Sequence, residues 1–167
     1  MDQVKVFAPA TVANIACGFD VLGLALDFPG DEVIVTKNDS KEVTIKACHN
    51  AENLPLAADE NVAGVAVKAL LKKLNSSQGF EIELTKGVKP GSGIGSSAAS
   101  SSAAVVAVNH LLKEPFTRKE LVEFAMEGEK CATGVAHADN VAPSICGGFT
   151  LVRSYEPLDI IKIESPE

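Results

Sequence analysis

Nowhere in its 167 residues does the chain carry a run of about twenty apolar side chains, which excludes a membrane-spanning helix of ordinary length. Residues 1–15 also lack the basic start and apolar middle of a secretory signal, so the expectation is a soluble, cytoplasmic protein with no membrane partner. Positive charge is scarce. With 15 Lys and Arg against 22 Asp and Glu, the formal net charge is −7, and no basic cluster is present; a nucleic-acid partner is therefore not expected. The four cysteines, Cys17, Cys48, Cys131 and Cys146, form no C-x-x-C pair and have no histidine at metal-ligand spacing. They read as free thiols in a reducing compartment, three of them small apolar filler, with Cys17 set apart by its polar neighbours. Neither an internal repeat nor a low-complexity linker divides the chain, and its length suits one domain.

What is present begins with alternation. "QVKVFAP" (3–9) reads as a strand ending at Pro9, and a second extended stretch follows a polar turn within residues 10–28. "DEVIVTKN" (31–38) and "EVTIKAC" (42–48) are two more period-two segments, and the short "DSK" between them predicts a hairpin. From Asn61 the period changes: Val62, Val65, Ala66, Ala69, Leu70 and Leu74 recur at helical spacing, with Asp59 as the expected N-cap. A strand at 79–87 precedes a glycine loop and a helix to about Leu112. Thr117 and Glu120 make a capping box for a further helix to about Lys130. The end reads as a polar loop with a proline and two glycines, a strand, and a last strand at 159–165.

Three stretches carry chemistry. "PGSGIGSSAAS" (90–100) places glycines at alternate positions directly before a helix, so that backbone N–H groups and the helix dipole can converge on an anion, most naturally phosphate. It lacks the lysine of the P-loop and the third-glycine spacing of a dinucleotide fingerprint. The helix after it, rich in alanine and serine from Ala98 to Ala104, has no bulky face, which suits either a ligand or close helix-on-sheet packing. Glu129 falls on the apolar face set by Leu121, Val122 and Ala125; either that face ends in solvent or the carboxylate serves a Mg²⁺ ion carried by a nucleotide. "HADN" gathers His137, Asp139 and Asn140 in one loop, as ordinary turn chemistry or as a site.

These residues resemble the GHMP kinases. "PGSGIGSSAAS" is similar to the family's phosphate loop, with Ile94 where leucine is usual, and "VFAPATVANIACGFDVLGLAL" and "HADNVAPSICGGF" resemble segments of the members that phosphorylate homoserine. The resemblance implies an α+β fold like domain 2 of ribosomal protein S5, a mixed β-sheet with helices packed on one side. It implies ATP and Mg²⁺ as cofactors. The phosphates would lie on Pro90, Gly91, Ser92, Gly93, Ile94, Gly95, Ser96 and Ser97, and the metal on Ser97 and Glu129. Asn14, Asp20, His137 and Asn140 would surround L-homoserine, and Asp139 and Lys86 would be the catalytic residues, Asp139 as acceptor or weak base at the hydroxyl and Lys86 near the phosphate loop. Asp20 suits the substrate ammonium by charge alone.

Family members are about twice this long, so residues 1–167 correspond to the N-terminal, ATP-binding domain, and the C-terminal domain is not in this chain. The face that domain covers would then need a partner chain, such as a second copy in a homodimer, or stand exposed. A nucleotide-binding piece without turnover and a kinase for another small alcohol are the alternative readings; an RNA-binding role is opposed by the charge.

Overall fold

The structure is a computed structural model that describes residues 2–164. Six strands, β1 (Gln3–Ala13), β2 (Leu22–Asn38), β3 (Val43–His49), β4 (Gly79–Thr85), β5 (Phe149–Tyr155) and β6 (Leu158–Ile163), form one sheet. Four helices cover it: α1 (Val62–Leu74), α2 (Ser96–Leu111), α3 (Arg118–Thr133) and α4 (Val141–Cys146). The strand order is β3-β4-β2-β5-β6, with β1 paired to β2; β3 and β4 run parallel and every other pairing is antiparallel. The expected mixed sheet with helices on one side is present.

The extended segments join differently from the sequence reading. Residues 31–38 and 42–48 do not form a hairpin, because β4 inserts between them, antiparallel to β2 from Glu32↔Thr85 to Asn38↔Gly79 and parallel to β3. Phe80, Ile82 and Leu84 of β4 are all buried and need strands on both sides, whereas β3 buries only Ile45 and sits at the edge. The stretch before Phe28 and the segment 31–38 are one strand, β2. Nor does β1 stop at Pro9: pairing passes from Pro9↔Gly30 to Thr11↔Ala25, two steps on β1 against five on β2. An irregularity of that kind is where a strand tolerates the missing N–H of proline.

The helices follow local chemistry more closely. Thr117 and Glu120 form the full capping box at the start of α3. The cap of α1 is Asn61, whose side chain accepts the Ala63 N–H at 3.0 Å, and not Asp59, which instead pairs with Lys68 at 2.7 Å. The stretch read as a loop around Pro143 contains α4; Pro143 lies in its first turn, where no intrahelical N–H bond is required. The last strand, expected at 159–165, spans Leu158–Ile163, and Ser165 lies outside the described residues.

α2 is the central helix, packed on β1 and β2 and flanked by α1, α3 and α4. Twelve of its sixteen residues are buried, on every side of the helix. Alanine and serine are needed there because five neighbouring elements approach closely, so tight packing accounts for the helix body. It does not account for the glycine loop at its N-terminus.

Candidate active site

Gly91, Gly93 and Gly95 all lie in the left-handed region, at φ 75°, 79° and 68°. A side chain on Gly91 or Gly93 would meet nothing within 4 Å, so packing does not demand glycine there; the backbone conformation does. Gly95 differs, because a Cβ would run into Thr11 Oγ1. Gly95 is also the N-cap of α2 and has no side chain to satisfy the first-turn N–H groups. The loop is tied down from behind, where the Thr11 N–H donates to the Ile94 carbonyl at 3.1 Å, Ser92 N–H to the Lys89 carbonyl at 3.1 Å, and the Ser96 hydroxyl to the Val88 carbonyl at 2.8 Å.

Beneath the loop lies a buried ion pair between Lys86 and Asp31, 5% and 0% exposed. The Lys86 ammonium also donates to the Ser96 carbonyl at 2.7 Å and to Ser100 Oγ at 2.8 Å, which uses all three of its N–H bonds. Asp31 Oδ1 accepts the Gly87 and Val88 N–H groups, each at 3.0 Å, and Oδ2 accepts the Ser100 hydroxyl at 2.7 Å. Burial pushes the lysine down from its ordinary value and Asp31 opposes that. Three acceptors on three donors keep the group an ammonium. The pair thus fastens the end of β4 to the first turn of α2 and fixes both ends of the loop.

A cavity of about 540 Å³ opens in front of it. Pro90, Gly91, Gly93, Gly95, Ser96, Ser97, Lys86, Glu129 and Asn140 line its polar side, and Leu54, Pro55, Val62 and Leu84 supply an apolar end. Glu129 is 6% exposed, and its Oε1 has no hydrogen-bond partner among the described residues. Burial raises its pKa above the ordinary carboxylate value; the Ser97 hydroxyl lowers it, Asp139 raises it further, and His137 and Lys86 work the other way. The expectation that this face ends in solvent is not met.

The "HADN" turn closes the neighbouring edge. Asn140 Oδ1 accepts the Thr11 hydroxyl at 2.7 Å, which joins β1 to the turn before α4. Asp139 is 4% exposed; burial raises its pKa, and His137 opposes this. β2 passes so close behind that a Cβ on Gly23 would strike the Asp139 carbonyl. His137 Nδ1 stands 3.7 Å from Asp20 Oδ1, and Asn14 Oδ1 accepts the Asp20 N–H at 2.8 Å. Asn14, Ile15, Ala16 and Asp20 all have positive φ, a turn held in an uncommon conformation.

The residues expected from the sequence thus fall mainly into two groups, the cavity lining from Lys86 to Asn140 and the Asn14, Asp20, His137 cluster beside the same turn. Ser92, Ile94 and Asp139 do not line the cavity; the Ile94 carbonyl accepts the Thr11 N–H, and Asp139 is buried next to Asn140. Sequence reading missed Asp31, Ser100, Thr11 and the Leu54–Pro55 wall. An aspartate opening a strand directly after a Pro-Gly pair was the one available signal for Asp31. A larger cavity of about 750 Å³, bordered by β1, α2 and α4, holds none of the expected residues. Among the described residues no three His, Cys, Asp or Glu side chains cluster to hold a metal by themselves, and no helix is long and apolar enough to cross a membrane.

A glycine cradle at an uncapped helix start, faced by a buried carboxylate, is an arrangement chemically suited to the phosphates of a small molecule. The chain belongs to the GHMP kinases: residues 61–148 match the family model of the GHMP kinases N terminal domain. It is 48% identical over 178 residues to a homoserine kinase of Chlorobium phaeobacteroides, an alignment that takes in 100% of this chain and 56% of that protein. The crystal structure of homoserine kinase from Cytophaga hutchinsonii is 53% identical and superposes with a TM-score of 0.95, over 99% of this chain and 53% of that one. The mevalonate kinase of Methanococcus jannaschii, at 18% identity and a TM-score of 0.73 over 98% of this chain and 56% of that one, shares the fold, which is the ribosomal protein S5 domain 2-like arrangement. The chain spans about half the length of the relatives it matches.

Proposed function

We propose that residues 1–167 are the nucleotide-binding domain of a homoserine kinase, and that the whole protein transfers the γ-phosphoryl group of ATP to the hydroxyl of L-homoserine. One observation carries the reading: the phosphate-loop cavity and the Asn14, Asp20, His137 cluster adjoin through Asn140. Relatives named homoserine kinase that match along the full chain support the choice of alcohol.

The free N–H groups of the loop and of the first turn of α2 take the phosphate oxygens, and the apolar end at Leu54, Pro55, Val62 and Leu84 suits the base. A Mg²⁺ ion fits the donor set, because Glu129 presents a buried carboxylate oxygen without a partner and Ser97 adds a hydroxyl beside it. Such an ion neutralises charge on the phosphates. On the other side, Asp20 attracts the substrate ammonium, and the substrate hydroxyl faces Asp139 and Asn140. As the hydroxyl oxygen bonds to the γ-phosphorus, the bond to the β–γ bridging oxygen breaks and ADP leaves. The alcohol proton passes to Asp139, whose raised pKa makes its carboxylate a better acceptor than an exposed one. Positioning and the loop dipoles stabilise the transferring group, so Asp139 is asked for little basicity. Lys86 acts by holding the loop, with its ammonium fully engaged.

ADP release with Mg·ATP and, in turn, L-homoserine, mevalonate and galactose tests this reading on the whole protein. Turnover with homoserine above the other two, lost in Glu129→Ala, is expected; equal turnover with all three alcohols, or with none, would overturn it.

A further inference from the structure

Tyr155 ends β5 and stands between the two turns assigned above to the alcohol. Its hydroxyl donates to the Asp20 main-chain carbonyl at 2.8 Å and accepts the Ala138 N–H at 3.3 Å. Among the described residues no other hydrogen bond joins residues 14–20 to residues 137–140, and the one ion-pair approach between them is His137 to Asp20 at 3.7 Å. A single phenol oxygen therefore bridges the turn that carries Asp20 to the turn that carries Asp139 and Asn140. The first of these turns is assembled from positive-φ residues and so depends on outside contacts to keep its shape.

We propose that Tyr155 is a positioning residue for the alcohol substrate, setting the separation between the Asp20 carboxylate and the Asp139–Asn140 pair while leaving the nucleotide cradle untouched. The inference rests on the reading of the alcohol site under Proposed function. Tyrosine suits the task because its ring is rigid and carries the oxygen at a fixed reach from β5, along a surface hollow that Met126, Ala136, Pro157 and Leu158 also line. Burial pushes the phenol above the ordinary tyrosine value; the Ala138 contact opposes this, and Asp139 and Asp20 add to it. At neutral pH the group remains a donor to the Asp20 carbonyl. None of its contacts reaches residues 90–97.

Tyr155→Phe removes the oxygen and keeps the ring, so the fold is retained. Two measurements decide the matter. Amide exchange at Ala138 should quicken by about tenfold or more in the variant, with the amides of Gly91, Gly93 and Gly95 unchanged; equal exchange at Ala138 overturns the bridge. Calorimetric titration should show L-homoserine affinity lower by about tenfold, the worth of one hydrogen bond, with ATP affinity unchanged. Equal weakening of both ligands, or of neither, overturns the positioning role. Both measurements use the whole protein; its failure, unaltered, to bind homoserine would count against the proposed function instead, and amide exchange would still decide the bridge.

Discussion

Lys86→Met would expose how much of the phosphate loop depends on one buried charge. The substitution keeps most of the side-chain volume and removes three hydrogen bonds, to Asp31, Ser96 and Ser100. Asp31 is then left 0% exposed without its counter-charge. Breaking a buried pair in this way typically costs about 3–5 kcal/mol. Three donors remain on Asp31, the Gly87 and Val88 amides and the Ser100 hydroxyl, which places the cost near the lower limit, about 3 kcal/mol. For a chain of this length that lowers Tm by roughly 6–12 °C, read by circular dichroism at neutral pH. The reverse change, Asp31→Asn, should be milder, because burial already pushes Lys86 down and it can release its proton. The double variant should recover part of the loss, with a coupling of about 1–3 kcal/mol between the two sites. A Tm shift below about 2 °C for Lys86→Met, less than one kcal/mol, or a larger loss for Asp31→Asn, would refute the reasoning.

Glu129→Gln tests the buried carboxylate through pH. A folded-state pKa raised by burial above the ordinary carboxylate value favours the neutral acid, so its stabilising contribution is complete below that ordinary value and is lost as pH rises through the folded pKa. In metal-free buffer the variant should match the parent near pH 4 and exceed it in Tm at pH 8; identical pH profiles would contradict burial of the charge. Asp139→Asn in the whole protein should lower kcat more than it raises the homoserine KM, and an unchanged kcat would remove Asp139 from the chemistry. Thr117→Ala deletes the hydroxyl of the α3 capping box and should cost about 1 kcal/mol in denaturant unfolding; no loss would mean that the box is not stabilising.

What the sequence disclosed was local, and what it hid was long-range. Thr117 and Glu120 are three residues apart, and the glycine loop is one continuous segment; each states its structure through its own neighbours. The order of the strands depends on β4 arriving from forty residues downstream and displacing a plausible hairpin, a choice governed by burial of Phe80, Ile82 and Leu84. Asn61 and Asp59 are equally good caps by composition, and only the direction of the chain entering α1 separates them. α4 was masked by Pro143, which punctuates a sequence more strongly than it disrupts a first helical turn. At the site, Gly91, Glu129 and Asn140 stood out as residue types, whereas Asp31 and Tyr155 act through hydrogen bonds to partners 56 and 135 positions away. No periodicity reports a contact of that kind.

The central claim is that the loop from Gly91 to Ser97 and Glu129 hold a metal–nucleotide together. Calorimetric titration of the chain with ATP, with and without Mg²⁺, repeated for Glu129→Ala, tests it most directly. Binding that requires Mg²⁺ and weakens by at least about tenfold in the variant is the expected result. Binding of equal strength in all four experiments would contradict it.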